Sequence, residues 1–253
     1  MRPYLLAESN WKNIKDQSIE LAILPWGATE AHNYHLPYSS DIIESDRIAA
    51  AAAKIAYEQG AKIIVLPTIP YGVNTGQIDI KLDLNINPST EMAIINDITE
   101  VLNHQKIYKL LIMNSHGGND FRPILREVGL KFPNMFLSYC NWFDSVPKED
   151  FFDYSGDHAD EMETSLLLYL TPDLVLPLSN AGQGIEKKIK IKGIQEGWAW
   201  TERKWSKATD DTGIGNPKNA SREKGEKYFN TIVRKMAHLF IEVANTDLND
   251  LYD

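Results

Sequence analysis

Short apolar runs alternate with longer amphipathic stretches along this chain, and that alternation sets the expected architecture. The runs at 21–26, 62–66, 109–113 and 135–140 are too short for helices and are bounded by glycine, proline or polar residues, so they read as buried strands. Apolar positions recur at helical spacing over 42–58, 89–104 and 120–130. Alternation of this kind forces parallel strands joined by right-handed crossovers, so the predicted class is α/β with a mainly parallel sheet. The segment 67–76 is a long loop punctuated by proline and glycine; it follows a strand end and is expected to wall a pocket. Two stretches alternate apolar and polar residues as strands do. One is 77–85; the other is 186–192, where lysines alternate with isoleucines as on a solvated sheet edge.

Residues able to ligate metals gather at the ends of these strands. Glu30, His32, His35 and Asp41 follow the first run within a few residues, and open α/β sheets carry their sites beyond the carboxyl ends of the strands. In extended backbone Glu30 and His32 share one face. Asp41 immediately precedes a helical stretch, which sets its carboxylate near a helix N-terminus. The run at 109–113 leads into Asn114, Ser115, His116, Gly117, Gly118 and Asn119, where paired glycines permit close approach of the backbone to a ligand. A third cluster, Asp157, His158, Asp160, Glu161 and Glu163, opens an apolar helix at 166–170. At helical spacing His158 and Glu161 share a face, and Glu163 reaches the same site only through a non-helical first turn. Asp160 reads as helix-start chemistry. Oxygen and imidazole donors at this density point to divalent metal.

In order and spacing these motifs resemble the creatininase (creatinine amidohydrolase) family. The resemblance extends through Gly213, Ile214, Gly215, Asn216 and Pro217 to Ala220, Glu223, Lys224 and Gly225, and covers roughly residues 4 to 240. It implies a single domain over 1–253, a three-layer α/β sandwich, and a hydrolase acting on C–N bonds other than peptide bonds. It also implies two divalent ions per chain, with zinc, manganese or iron as candidates. Carried over by position, Glu30, Asp41 and His116 bind one ion, and His32 with the shared Asp41 binds the other. Creatininase places its last ligand at the position of Gly118, which has no side chain; Glu163, with Glu161 as the alternative, is expected to supply that carboxylate. His158 is the expected general acid, oriented by Glu161 or Glu163 if either is not a ligand. His35 is either a supporting or a direct participant, and His104 and His238 lie away from every cluster. The substrate expected is a small cyclic amide or formamide, with creatinine itself, or a metal-stabilised protein without catalysis, as alternatives.

Composition narrows the partners. A net charge of −9 argues against binding a phosphate backbone. No stretch reaches the length of a membrane span, and the first residues hold too short an apolar run for a signal peptide. The lone Cys140 excludes an intramolecular disulfide, suits a cytoplasmic location and reads as a small core residue. Tryptophans 198, 200 and 205 crowd one segment and are expected to be core or subunit-contact anchors rather than pocket lining, in a homo-oligomer that is a hexamer by family resemblance.

Overall fold

The computed structural model describes residues 2–154 and 156–252. Strands β1 (Leu21–Trp26), β2 (Ile63–Val65), β3 (Lys109–Asn114) and β4 (Phe136–Asn141) form one sheet in the order β2-β1-β3-β4, with every pair parallel. The helices in chain order are α1 (Trp11–Ile14), α2 (Ser40–Glu58), α3 (Pro88–His104), α4 (Phe121–Lys131), α5 (Glu161–Leu170), α6 (Lys192–Gln195), α7 (Trp205–Ala208) and α8 (Arg222–Asn245). The four strands and helices α2, α3 and α4 fall where the apolar patterning puts them.

The strand period of two divides the core. Leu21, Ile23, Leu111 and Met113 face the layer built from α2, α5 and α8, whereas Ala22, Leu24, Trp26, Leu110 and Ile112 face α3 and α4. These are the three layers expected. Pro25 lacks a donor and would interrupt a fully paired strand, but β2 pairs with β1 only as far as Ile23. Lys109 opens β3 as a buried charge, and its ammonium donates to the carbonyls of Ala244 (2.8 Å) and Thr246 (2.6 Å) at the end of α8. Cys140 is packed against Met236, and burial pushes its thiol up to about 12, which removes it as a nucleophile at neutral pH. Among the described residues no helix is long and apolar enough to cross a membrane.

Two strand expectations are corrected. The stretch 77–85 is a turn-rich loop that follows from a 3-10 helix at Thr75–Gln77 and carries only isolated bridges, from Leu84 to Thr29 and from Asn85 to Gly72. Its pattern is inverted: Ile78 and Leu82 are exposed, while Gln77 and Asp83 are buried. The stretch 186–192 joins no strand, and Ile191 lies exposed. Neither segment joins the sheet, so its alternation marks no strand. The sheet leaves β1 in opposite directions toward β2 and β3, which makes the carboxyl ends of β1 and β3 the topological switch point.

Candidate metal centre

At that switch point the loop after β1 is drawn against the first turn of α2. A side-chain carbon at Gly27 would lie 2.7 Å from the Ile42 nitrogen and 2.8 Å from the Asp41 carbonyl carbon, so only glycine admits this approach. The contact brings Asp41, in the first turn of α2, beside Glu30 and His32. Asn33 turns the chain in the left-handed region (φ 53°), and His35 then donates or accepts at Thr164 Oγ1 (2.9 Å). Burial lowers the His35 imidazole to about 4, which keeps it neutral and fits a supporting role.

Three imidazoles meet three carboxylates in this space, and each imidazole has the same arrangement. His32 Nδ1 lies 3.1 Å from the Glu30 carbonyl, His116 Nε2 3.0 Å from the Val73 carbonyl, and His158 Nε2 2.9 Å from the Ala31 carbonyl. A carbonyl only accepts, so these nitrogens carry the hydrogens. The opposite nitrogens all face carboxylates. His32 Nε2 is 3.0 Å from Asp41 Oδ1; His116 Nδ1 is 2.9 Å from Glu30 Oε1 and 3.1 Å from Asp41 Oδ2; His158 Nδ1 is 3.8 Å from Glu30 Oε1. Metal-binding histidines have this form, with one ring nitrogen held by an acceptor and the other directed at the ion.

The electrostatics ask for positive charge. Burial alone would lower His32 and His116, but Asp41 acting on His32, and Glu30 and Asp41 acting on His116, hold both well above the ordinary imidazole value. Burial would likewise raise Glu30, yet His116, His158 and His32 keep it below the usual carboxylate range. Glu163 is raised by burial, against the opposing pull of His32 and His158. Carboxylates this deeply buried are costly unless a cation accompanies them. Donor atoms of Glu30, Asp41 and His116 lie within 4.8 Å of one another, as do those of His32, Asp41 and Glu163, and of Glu30, His32 and His158. The donor set therefore fits divalent ions.

The third cluster is built differently from its helical reading. Asp160 is the N-cap of α5 and accepts from the Met162 and Glu163 amides at 2.9 and 3.0 Å, the helix-start role expected for it. His158 lies outside the helix, and its backbone pairs with Ile214 (Ile214 N to His158 O, 2.8 Å). Ala159 takes a left-handed φ of 49°, and its amide donates to Glu163 Oε2, which turns that carboxylate back toward His32. Glu161 is not brought into the cluster. Its carboxylate accepts from the Asp153 and Tyr154 amides (3.0 and 2.9 Å) and pairs with Lys224, so the expectation that it orients His158 or ligates an ion is corrected. The i, i+3 face does not exist because the helix begins at Glu161.

A carbon added to Gly118 would lie 2.3 Å from the Val73 carbonyl oxygen and 2.4 Å from His116 Nε2. The hydrogen bond between those two groups fills the place a ligand side chain would need. The 67–76 loop walls the centre as expected, tied down by Trp26 Nε1 to the Tyr71 carbonyl (2.9 Å). Gln77 and Asp83, hidden in the misread segment, also reach it: Gln77 donates to Glu30 Oε2, and Asp83 accepts from the Ala31 amide. Trp205 is half-buried, and its ring meets His158 at 4.8 Å and 69°.

With this geometry in view, the family model described as creatinine amidohydrolase matches residues 7–240. The chain belongs to the creatininase family. As a member it is an amidohydrolase. A solved structure from Bacteroides fragilis NCTC 9343, provisionally named a creatinine amidohydrolase, is 40% identical, covers all of both chains and superposes with a TM-score of 0.93. The creatinine amidohydrolase of Pseudomonas putida is 25% identical over 194 residues, 67% of this chain and 73% of that protein. The mycofactocin precursor peptide peptidase of Mycolicibacterium smegmatis (strain ATCC 700084 / mc(2)155) is 25% identical over 235 residues, 87% of this chain and 83% of that protein. Creatininase structures of a Zn–Zn type and an Mn form share the fold with TM-scores of 0.76 and 0.78.

Proposed function

We propose that this chain is a dinuclear, divalent-metal amidohydrolase that cleaves a non-peptide C–N bond of a small cyclic amide or formamide. The divided carboxylate of Asp41 carries the reading: Oδ1 lies 3.0 Å from His32 and Oδ2 3.1 Å from His116, so one residue serves two donor sets. Glu30, Asp41 and His116 would hold one ion; His32, Asp41 and Glu163 would hold the other. Mixed oxygen and nitrogen donors suit zinc, manganese or iron. Bound ions would supply an activated water and a polarised substrate carbonyl.

The chain's own residues handle the proton. The leaving nitrogen must be protonated, and His158 is the imidazole placed for it. Its Nε2–H is committed to the Ala31 carbonyl, so the proton passes from Nδ1, the nitrogen on the carboxylate side. Trp205 limits rotation of that ring, and Arg203 lies 4.9 Å over the indole while its guanidinium pairs with Asp157 at 2.7 Å. The six donor and acid residues are at most 8% exposed, which keeps bulk water away from them.

A short precursor peptide is the second reading, supported by the peptidase name of the Mycolicibacterium smegmatis relative. Metal analysis of protein purified without chelator, followed by hydrolysis assays on creatinine, other cyclic amides, formamides and short peptides, separates the two. Turnover of peptides alone overturns the small-amide reading. Two bound ions with no turnover on any class favours a non-catalytic binding protein of the same fold.

Glu163→Gln should empty the second site selectively, lowering the content from two ions toward one per chain while the Glu30, Asp41 and His116 site stays filled. Elemental analysis checks this, and an unchanged content of two removes Glu163 from the ligand set. The chain is further expected to form a homo-oligomer, a hexamer by family resemblance, in the cytoplasm. Trp198 and Trp200 are 76% and 86% exposed, which is aromatic surface suited to a subunit contact. Replacing both with alanine should lower the mass seen by light scattering; a wild-type chain that is monomeric at micromolar concentration refutes the assembly.

A further inference from the structure

Glu30 belongs to two of the three donor groups, so whatever orients its carboxylate decides how the centre is shared. One oxygen, Oε1, faces His116 at 2.9 Å and His158 at 3.8 Å. The other, Oε2, accepts from the side-chain nitrogen of Gln77, which is only 3% exposed. The orientation of the Gln77 amide is forced by its neighbours. Its nitrogen also lies 3.1 Å from Asn74 Oδ1, and Asn74 must present that oxygen because its own nitrogen donates to the Leu84 carbonyl at 3.2 Å. Turning the Gln77 amide over would set oxygen against two acceptors.

The chain of contacts closes on itself. The Asn74 amide donates to Asn85 Oδ1 (2.8 Å), and the Leu84 amide donates to the carbonyl of Thr29 (3.0 Å), the residue before Glu30. Gln77 is therefore held by the same loop that is pinned to the backbone of its target. A carboxamide donor, unlike an imidazolium or ammonium, neither carries charge nor loses its hydrogen with pH. It can fix Glu30 without competing with a cation.

We propose that Gln77 is a positioning residue that engages Glu30 Oε2 and leaves Oε1, the oxygen nearest His116, as the single ligating oxygen of the Glu30, Asp41 and His116 site. The inference rests on the metal-centre reading given above. Groups that orient a ligand in this way typically change metal affinity by about 10- to 100-fold when removed.

The test is calorimetric titration of Mn²⁺ into the metal-stripped full chain, comparing wild type with Gln77→Leu and Gln77→Glu. The expected result is two binding steps in wild type, with one weakened about 10- to 100-fold in Gln77→Leu and the other unchanged. Gln77→Glu keeps length and polarity, so it carries the test even if the leucine variant does not fold; its carboxylate repels Glu30 and should weaken the same step. Both steps at wild-type affinity in either folded variant, or both weakened equally, overturns the role of Gln77 alone. A wild-type chain that takes up no Mn²⁺ overturns the metal centre and this role together.

Discussion

Asp41→Ala should yield a folded chain that retains at most one ion and hydrolyses substrate at the background rate. Each Asp41 oxygen faces a different imidazole, and the side chain is almost wholly buried at the first turn of α2. Glu30 is engaged by Gln77 and Glu163 by the Ala159 amide, which holds both carboxylates in their own places. Removing Asp41 also takes away the one carboxylate that both His32 and His116 face. Loss of one shared ligand thus damages two sites, an effect larger than any single-site substitution here. Metal content per chain and turnover, measured on the same preparation, check the outcome. Two ions per chain in the variant would sink the shared-ligand assignment.

His158→Ala should separate chemistry from metal. The variant is expected to keep both ions and to lose roughly 10²- to 10⁴-fold in kcat, the usual worth of a general acid. The contrast with Asp41→Ala lies in the geometry: His158 Nδ1 stands 3.8 Å from Glu30, farther than either of the other imidazoles from its carboxylate. Its nitrogen nevertheless lies within the 4.8 Å group formed with Glu30 and His32. A variant that loses an ion along with its rate would make His158 a ligand, and elemental analysis beside single-turnover kinetics distinguishes the two results.

Much of this molecule is legible from sequence because its strands are short, apolar and buried on both faces. The switch-point residues Glu30, His32 and His116 follow such strands directly, so local pattern alone leads to them. Gly118 is equally informative: it has no side chain where the family resemblance expects a ligand, which points to Glu163 as the carboxylate. The failures share one cause, which is contact between segments far apart in sequence. His158 is held by Ile214 rather than by its own helix, and nothing near residue 158 announces that partner. Helical spacing therefore favours Glu161, whose carboxylate is in fact occupied by Lys224. Gln77 and Asp83 were hidden by an alternation whose apolar members face solvent and whose polar members face the site. The indole of Trp205 likewise reaches His158 from a segment distant in sequence.

The backing of the two donor sets is unequal. Glu30 and His116 hang from β1 and β3, the two inner strands of the sheet. Glu163 stands in the first turn of α5, supported by the Asp160 cap and the pairing of residue 158 with residue 214. Opening free energies are lowest at the ends of elements and highest in central strands. Fraying of a single helical turn would therefore release one carboxylate, whereas Glu30 and His116, just past the ends of β1 and β3, are each held by a second segment, through Gln77 and the Val73 carbonyl. Two ions bridged by the same aspartate would then have different residence times. The ion next to the sheet would persist through fluctuations that let its neighbour exchange, so filling would be ordered, with the sheet-side position first.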